Sequence, residues 1–306
     1  MQAAAAHLGY SAHRAARQVA TGQAATVGAV LSPTRHEGET PNYYVAELLA
    51  GVEDEARRRQ LGVRVEMWDG SVPPMANDRS VDGLLYLGGA FDPATLARVE
   101  LPAVLVGTSF SEVEIDAVLA DNRRGTHLAT SHLLAAGRQR PALLNGPHHA
   151  PTSDSKWLGF RDALKHRGLL PDGFEVVFAD FTTEAGYEVA RQLLAASAPD
   201  GLVVGDDAIA AGALHAAQDL GIEVPAQLAI VGYGDSELGR MLRPALSSVR
   251  VFQRRMGCLA VSRLADRLRG RADGCIRILV GPELVVRESS MKREVKHSGD
   301  DPSQPA

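Results

Sequence analysis

Short apolar runs recur along this chain with amphipathic stretches between them, and this alternation constrains its fold more than any other feature. The runs are TVGAVLS (26–32), VRVEMWD (63–69), VDGLLYLGG (81–89), PAVLVGT (102–108) and PALLNGP (141–147). EVVFADF (175–181), GLVVGDD (201–207) and LAIVGYGD (228–235) follow. They are β-branched and apolar on both faces, as parallel strands covered on both sides must be. Between them, Val45, Leu48, Leu49, Val52 and Ala56 share a helix face. So do Trp157, Phe160 and Leu164, and likewise Ile209, Ala213, Ala217 and Leu220. These stripes read as core, because each helix on a parallel sheet needs one apolar face. Gly62, Gly168 and Gly221 follow helical runs, where a left-handed cap favours glycine. With 306 residues the chain outgrows a single core, and the runs fall into two similar sets.

The chemistry of several enzyme classes is absent. No lysine follows a glycine, which removes the phosphate-cradling GxxxxGK[ST] loop. Gly232-Tyr233-Gly234 has Glu237 where a dinucleotide fingerprint needs its third glycine. Gly107 to Ser111 breaks the GxSxG elbow at its last position, and His36-Glu37 is followed by Thr40 instead of the second histidine of HExxH. His148-His149 lies beside a strand end, where a solvated loop and a ligand contact are both open readings, the loop ahead. Cys258 and Cys275 have no zinc-ligand spacing and read as buried thiols. No enzyme, cofactor or metal is expected. At 23% charged residues and a net charge of −5, no global basic field draws the chain to nucleic acid, so any DNA contact must be local. No apolar stretch suits a membrane span or an export signal, and the expectation is a cytoplasmic protein without a membrane partner.

LGYSAHRAARQVATGQAATVGAVL (8–31) resembles the hinge of LacI-type (lactose-repressor family) transcription regulators, matching at Leu8, Gly9, Tyr10, Arg14, Ala15, Ala16, Arg17, Ala20 and Gly22. The likeness continues in DNRRGTHLATSHLLAAGRQRPALLNGP (121–147), KWLGFRDAL (156–164), GDDAIAAGAL (205–214), VPAQLAIVGYGDSEL (224–238) and RPALSSVRVFQRRMG (243–257). It implies an α/β fold of two flavodoxin-like lobes with parallel sheets joined by crossing strands, like periplasmic binding proteins. By that likeness residues 1–23 are a headpiece remnant and hinge helix, and 24–291 the sensor. Lobe one would be 24–148 plus 252–273 and lobe two 149–251 plus 274–291; the tail 292–306, polar and ending in Pro and Ser, is expected to be disordered from its composition.

The resemblance further implies a homodimeric repressor that senses a small sugar-like effector in the cleft between its lobes. Lys156 stands where the family commonly has an arginine on ligand oxygens, keeping the charge but losing the planar fork. Asp206-Asp207 replaces an Asn-Asp pair, and Gly234-Asp235 an Asp-Asp pair. Asp206 and Asp235 are therefore acceptor candidates, Tyr44 a ring to stack on the effector, and Ser32 a small polar contact; Arg124 and Asn145 rank below them. The loop 70–80 is shorter than the family's, and Pro73 and Pro74 oppose a full helix there. In the hinge, Arg14, Ala15, Arg17 and Val19 would enter the minor groove, Val19 as the wedge. Operator recognition would need a full headpiece. Seven residues precede Leu8, too few for a helix-turn-helix, so the expectation is weak, poorly selective DNA binding and a true start upstream of Met1. The competing readings are a free-standing solute-binding protein, opposed by the hinge, and an enzyme on the same scaffold, opposed by the missing motifs.

Overall fold

The computed structural model describes residues 25–31, 43–89 and 91–291. These form two compact units, each with a six-stranded sheet. With strands numbered in chain order, the first unit holds β1 (Thr26–Leu31), β2 (Gly62–Met67), β3 (Gly83–Leu87), β4 (Ala103–Val106), β5 (Asp116–Ala120) and β11 (Arg277–Val280). Its order is β11-β5-β4-β3-β1-β2, and every pair is parallel. The second unit holds β6 (Pro141–Asn145), β7 (Val176–Phe178), β8 (Gly201–Val204), β9 (Ala229–Gly234), β10 (Ser247–Arg250) and β12 (Glu283–Val285). Its order is β12-β10-β9-β8-β6-β7, with only the β10–β12 pair antiparallel. Both units thus repeat the 2-1-3-4-5 winding of flavodoxin-like sheets, the fold expected from the sequence.

Helices cover the sheets much as the apolar stripes require, although Leu220, counted with Ile209, Ala213 and Ala217, lies past the end of their helix and is exposed. In the first unit α1 (Tyr43–Arg58) buries Val45, Leu48, Val52 and Ala56, and packs on α9 (Gln253–Leu268). The loop 70–80 contributes only the single turn α2 (Pro74–Asn77), whose Met75 is fully buried over Gly28 and Leu84. A stiff loop with one apolar plug therefore takes the place of a helix. Beside it Trp68, Tyr86 and Phe91 meet edge to face, with centroids 5.2–5.9 Å apart.

In the second unit α4 (Asn122–Ala135) packs on α5 (Ser153–His166), and α6 (Thr183–Ser197) on α7 (Asp207–Asp219). The α6–α7 crossing is close because Gly212 has no side chain. A Cβ there would overlap the Thr183 carbonyl oxygen and the Tyr187 amide nitrogen.

The structure moves several expected boundaries. The first unit gives way to the second after Asp121, not at 148/149, because β6 pairs with β7 and β8. Residues 277–280, placed in lobe two from the sequence, lie beside β5 in the first unit. Alternating strands and helices look alike in both lobes, so periodicity does not say which sheet a strand joins. Gly168 and Gly221 have the expected left-handed backbone (φ 73° and 68°), but Gly62 opens β2, and Gln60 takes the left-handed turn instead (φ 58°). Cys275 is exposed, not buried, and Trp157 is only half-buried. No described helix is long and apolar enough to cross a membrane.

The α6–α7 crossing yields a test. In an isolated helix Gly→Ala stabilises by about 1 kcal/mol. Gly212→Ala should instead destabilise the second unit, by roughly 1–3 kcal/mol, because overpacking forces the helices apart. Urea unfolding followed by circular dichroism should show a lower midpoint; a higher one would mean the crossing relaxes freely.

Candidate functional site

Open parallel sheets bind ligands beyond the carboxyl ends of their strands, where the winding reverses. In the second unit that point lies between β6 and β8. β8 ends into Gly205 and Asp206, and Asp206 caps α7, its carboxylate accepting from the Ala208 amide at 2.8 Å. The turn after β6 is held by the fully buried Asn145, which donates to the Ser153 carbonyl and accepts from the Gly146 amide, both at 2.9 Å. That turn starts α5 and carries Lys156 to the same place. Asn145, a weaker ligand candidate in the sequence, therefore spends its amide on the backbone.

Lys156 is 5% exposed. Its Nζ donates to the Gly205 carbonyl at 2.7 Å and lies 4.5 Å from the Tyr233 ring centroid and 5.9 Å from that of Phe181. Burial pushes the ammonium down to about 8, against the pull of the nearby Asp206 carboxylate. Asp206, half-buried, is pushed up to about 6, first by burial and then by its neighbour Asp207, while the Ala208 amide and Lys156 act the other way. The two groups act on each other electrostatically, each favouring the other's charged form. The ammonium has three donors, and one of them is used on Gly205.

Asp207 and Asp235 build the floor. Asp207 is buried and accepts from Ser248 Oγ at 2.7 Å and the Ser236 amide at 2.6 Å; burial pushes its carboxyl upward. Asp235 has a left-handed backbone (φ 52°), and its amide donates to Ser248 Oγ at 2.9 Å. Its carboxylate accepts from Arg250 Nε at 2.7 Å and from Arg287. Asp235 is thus committed to two guanidinium groups, and the charge offered beyond β10 is that of Arg250, whose side chain is 39% exposed.

Of the sequence candidates, Lys156 and Asp206 come together, and Asp235 stands after β9, the next strand along the same edge. Tyr44 belongs to the first unit, where a Cβ on Gly107, after β4, would lie 2.7 Å from its hydroxyl; burial raises its pKa. Arg124, His148 and His149 are exposed. Ser32 and the hinge residues Arg14, Ala15, Arg17 and Val19 lie outside the described residues. Sequence reasoning missed Phe181, Tyr233, Arg250 and Arg287. For Phe181 a signal existed: it stands just before Thr182, the cap of α6, past the end of β7, where no core requires a ring. Among the described residues no cluster of three His, Cys, Asp or Glu side chains is placed to hold a metal.

A dry ammonium costs stability. At pH 7 the folded chain bears that cost in full, and it fades as pH rises from about 8 to the ordinary lysine value of 10.5, where the unfolded state also loses its proton. Lys156→Met should therefore stabilise the ligand-free chain at pH 7. The expected gain is only about 1 kcal/mol, because the Gly205 hydrogen bond and the Tyr233 ring offset much of the desolvation. Urea midpoints at pH 7 and pH 10 should show a gain that shrinks at the higher pH. A lower midpoint at pH 7 would mean the ammonium holds the fold together.

The periplasmic binding protein-like domain family matches residues 130–290. The ribose operon repressor of Haemophilus influenzae is 28% identical over 93% of this chain and 86% of its own length. The HTH-type transcriptional repressor PurR of Pectobacterium atrosepticum is 30% identical over 70% of this chain and 65% of its own. Among solved structures, a complex of the transcriptional regulator CelR with cellobiose superposes with a TM-score of 0.77 at 26% identity, covering 94% of this chain and 89% of that one. The transcription regulator CcpA of Lactococcus lactis does so with a TM-score of 0.78 at 25% identity, covering 88% of this chain and all of that one. A sheet pair wound in flavodoxin order, a charged switch point and relatives of this kind together make the chain a member of the LacI-type (lactose-repressor) family of transcription regulators, with a periplasmic-binding-protein-like sensor.

Proposed function

We propose that the chain is an effector-controlled repressor whose effector is a small polyhydroxylated molecule held by Lys156 and Asp206. The observation that carries this is the pair itself: a buried ammonium held by the Gly205 carbonyl beside a half-buried carboxylate at a sheet's switch point. Hydroxyl groups both donate and accept, so a sugar satisfies both partners at once, whereas an apolar ligand would leave them unsatisfied. Relatives named for a ribose operon and for cellobiose binding support that chemistry. Asp235 enters this reading as the anchor of Arg250.

On the same reading, the DNA contact is made by Arg14, Ala15, Arg17 and Val19 in a homodimer. One relative in structure is a lac repressor dimer bound to operator, which supports both parts. The first unit also ends in an exposed apolar edge, with Val65 44% and Met67 60% exposed on β2. Such an edge invites pairing with a second copy. As a regulator among relatives that regulate transcription, the chain has no catalytic role in this reading, and it works in the cytoplasm where its DNA is.

Two measurements test it. In calorimetric titrations against a panel of sugars, Asp206→Ala should weaken the best binder about tenfold or more, the equivalent of one buried charge-assisted hydrogen bond. Full affinity in both Asp206→Ala and Lys156→Ala would remove the pair from the site. For DNA, Arg14→Ala with Arg17→Ala should flatten the salt dependence of binding by about two phosphate contacts per protomer. An unchanged slope in fluorescence anisotropy would place the contact elsewhere.

A further inference from the structure

The Lys156–Asp206 pair leaves part of the same sheet edge unexplained. Phe178, the last residue of β7, is 38% exposed, and Phe181 is 42% exposed. Neither belongs to the apolar core of the second unit. Phe181 lies against Gly146 so closely that a Cβ there would come 2.5 Å from its Cε1, and its ring is the one 5.9 Å from Lys156 Nζ. Phe178 faces the exposed His148, with ring centroids 4.8 Å apart and planes tilted by 42°.

Two aromatic platforms therefore follow one another along the segment that leaves β6. The inner one is Phe181 on Gly146, next to the charged pair; the outer one is Phe178 with His148. Gly146 and His148 are two residues apart, which spans at most about 7 Å of chain. That bound leaves room for the advance of one ring in a linked sugar chain. Exposed rings of this kind offer flat apolar faces, which suit the C–H faces of pyranose rings and are otherwise costly to leave in water. A single sugar ring held by Lys156 and Asp206 reaches the inner platform and leaves the outer one bare.

We propose that the outer platform is a second sugar subsite, so that the preferred effector is a disaccharide or a glycoside of similar length. One ring sits at Lys156, Asp206 and Phe181, and the next on Phe178 and His148. This rests on the assignment of Lys156 and Asp206 to the effector. A monosaccharide fills only the first subsite and binds more weakly.

The test uses the 306-residue chain in calorimetric titrations with matched pairs: glucose and cellobiose, glucose and maltose, galactose and lactose, xylose and xylobiose. At least one disaccharide should bind about tenfold or more tightly than its monosaccharide. Phe178→Ala combined with His148→Ala should remove roughly that factor, the worth of one aromatic contact with its buried area, and leave monosaccharide affinity unchanged. The unchanged monosaccharide affinity also shows that the variant is folded. Lys156→Ala should weaken both members of the pair. If the double variant keeps the disaccharide preference while Lys156→Ala abolishes binding, the outer subsite is wrong and the charged site stands. If Lys156→Ala leaves both sugars bound as before, the charged site is wrong and the subsite falls with it. Absence of any disaccharide preference across the panel overturns the proposal directly.

Discussion

The carboxylate of Asp207 organises everything at the carboxyl edge of the second sheet. It sits in the first turn of α7, yet its two oxygens accept from Ser248 on β10 and from the amide of Ser236 after β9. One buried group thus ties a helix to two strand ends. Ser248 Oγ, oriented by donating to Asp207, accepts from the Asp235 amide and holds that residue in a left-handed turn that non-glycine residues rarely adopt. The turn aims the Asp235 carboxylate at Arg250 and Arg287. A buried carboxylate is costly unless its oxygens are occupied, and here the occupants are what position the neighbouring charges.

Beside this satisfied network, Lys156 is deliberately less satisfied. Its ammonium is removed from water with one hydrogen bond and two aromatic faces for company. The contrast separates two uses of buried charge. Asp207 and Asp235 are closed by partners from their own chain and serve the fold, whereas on the proposed reading Lys156 and Asp206 serve a ligand. Open polar groups in a half-dry site bind a ligand that matches them and reject one that does not.

The first unit uses the same device for a structural end. Asp116, at the start of β5, is 1% exposed and accepts from Arg263 and Arg267 of α9 and from the amide of Ile276 before β11. Burial alone would raise its pKa, but these donors outweigh it and hold the carboxyl below the usual range. Helix and edge strand are thereby pinned to one sheet, which is why residues 277–280 belong to the first unit. Stability from this cluster is present above the ordinary aspartate pKa and is lost as acid protonates the folded carboxyl.

How much of this was legible beforehand follows from what a sequence pattern reports. The spacing of apolar residues says which face of an element is buried, so β1 to β4, β6 to β9, most of the helical stripes and the parallel sheets were readable from the chain, while β5, β10, β11 and β12 were not among its apolar runs. Lys156 and Asp206 were singled out through the family resemblance, and the fold brings both to the Gly205 turn at the end of β8. What periodicity cannot state is which element does the covering. The change of unit after Asp121, the pairing of 277–280 with β5, and the capture of Asp235 by Arg250 and Arg287 all join residues far apart in the chain. So does the arrival of Phe181 and Tyr233 over Lys156. Such pairs exist only once the sheets have closed, since the desolvated pocket that makes an ammonium seek an aromatic face is made by the fold and not by its neighbours in sequence.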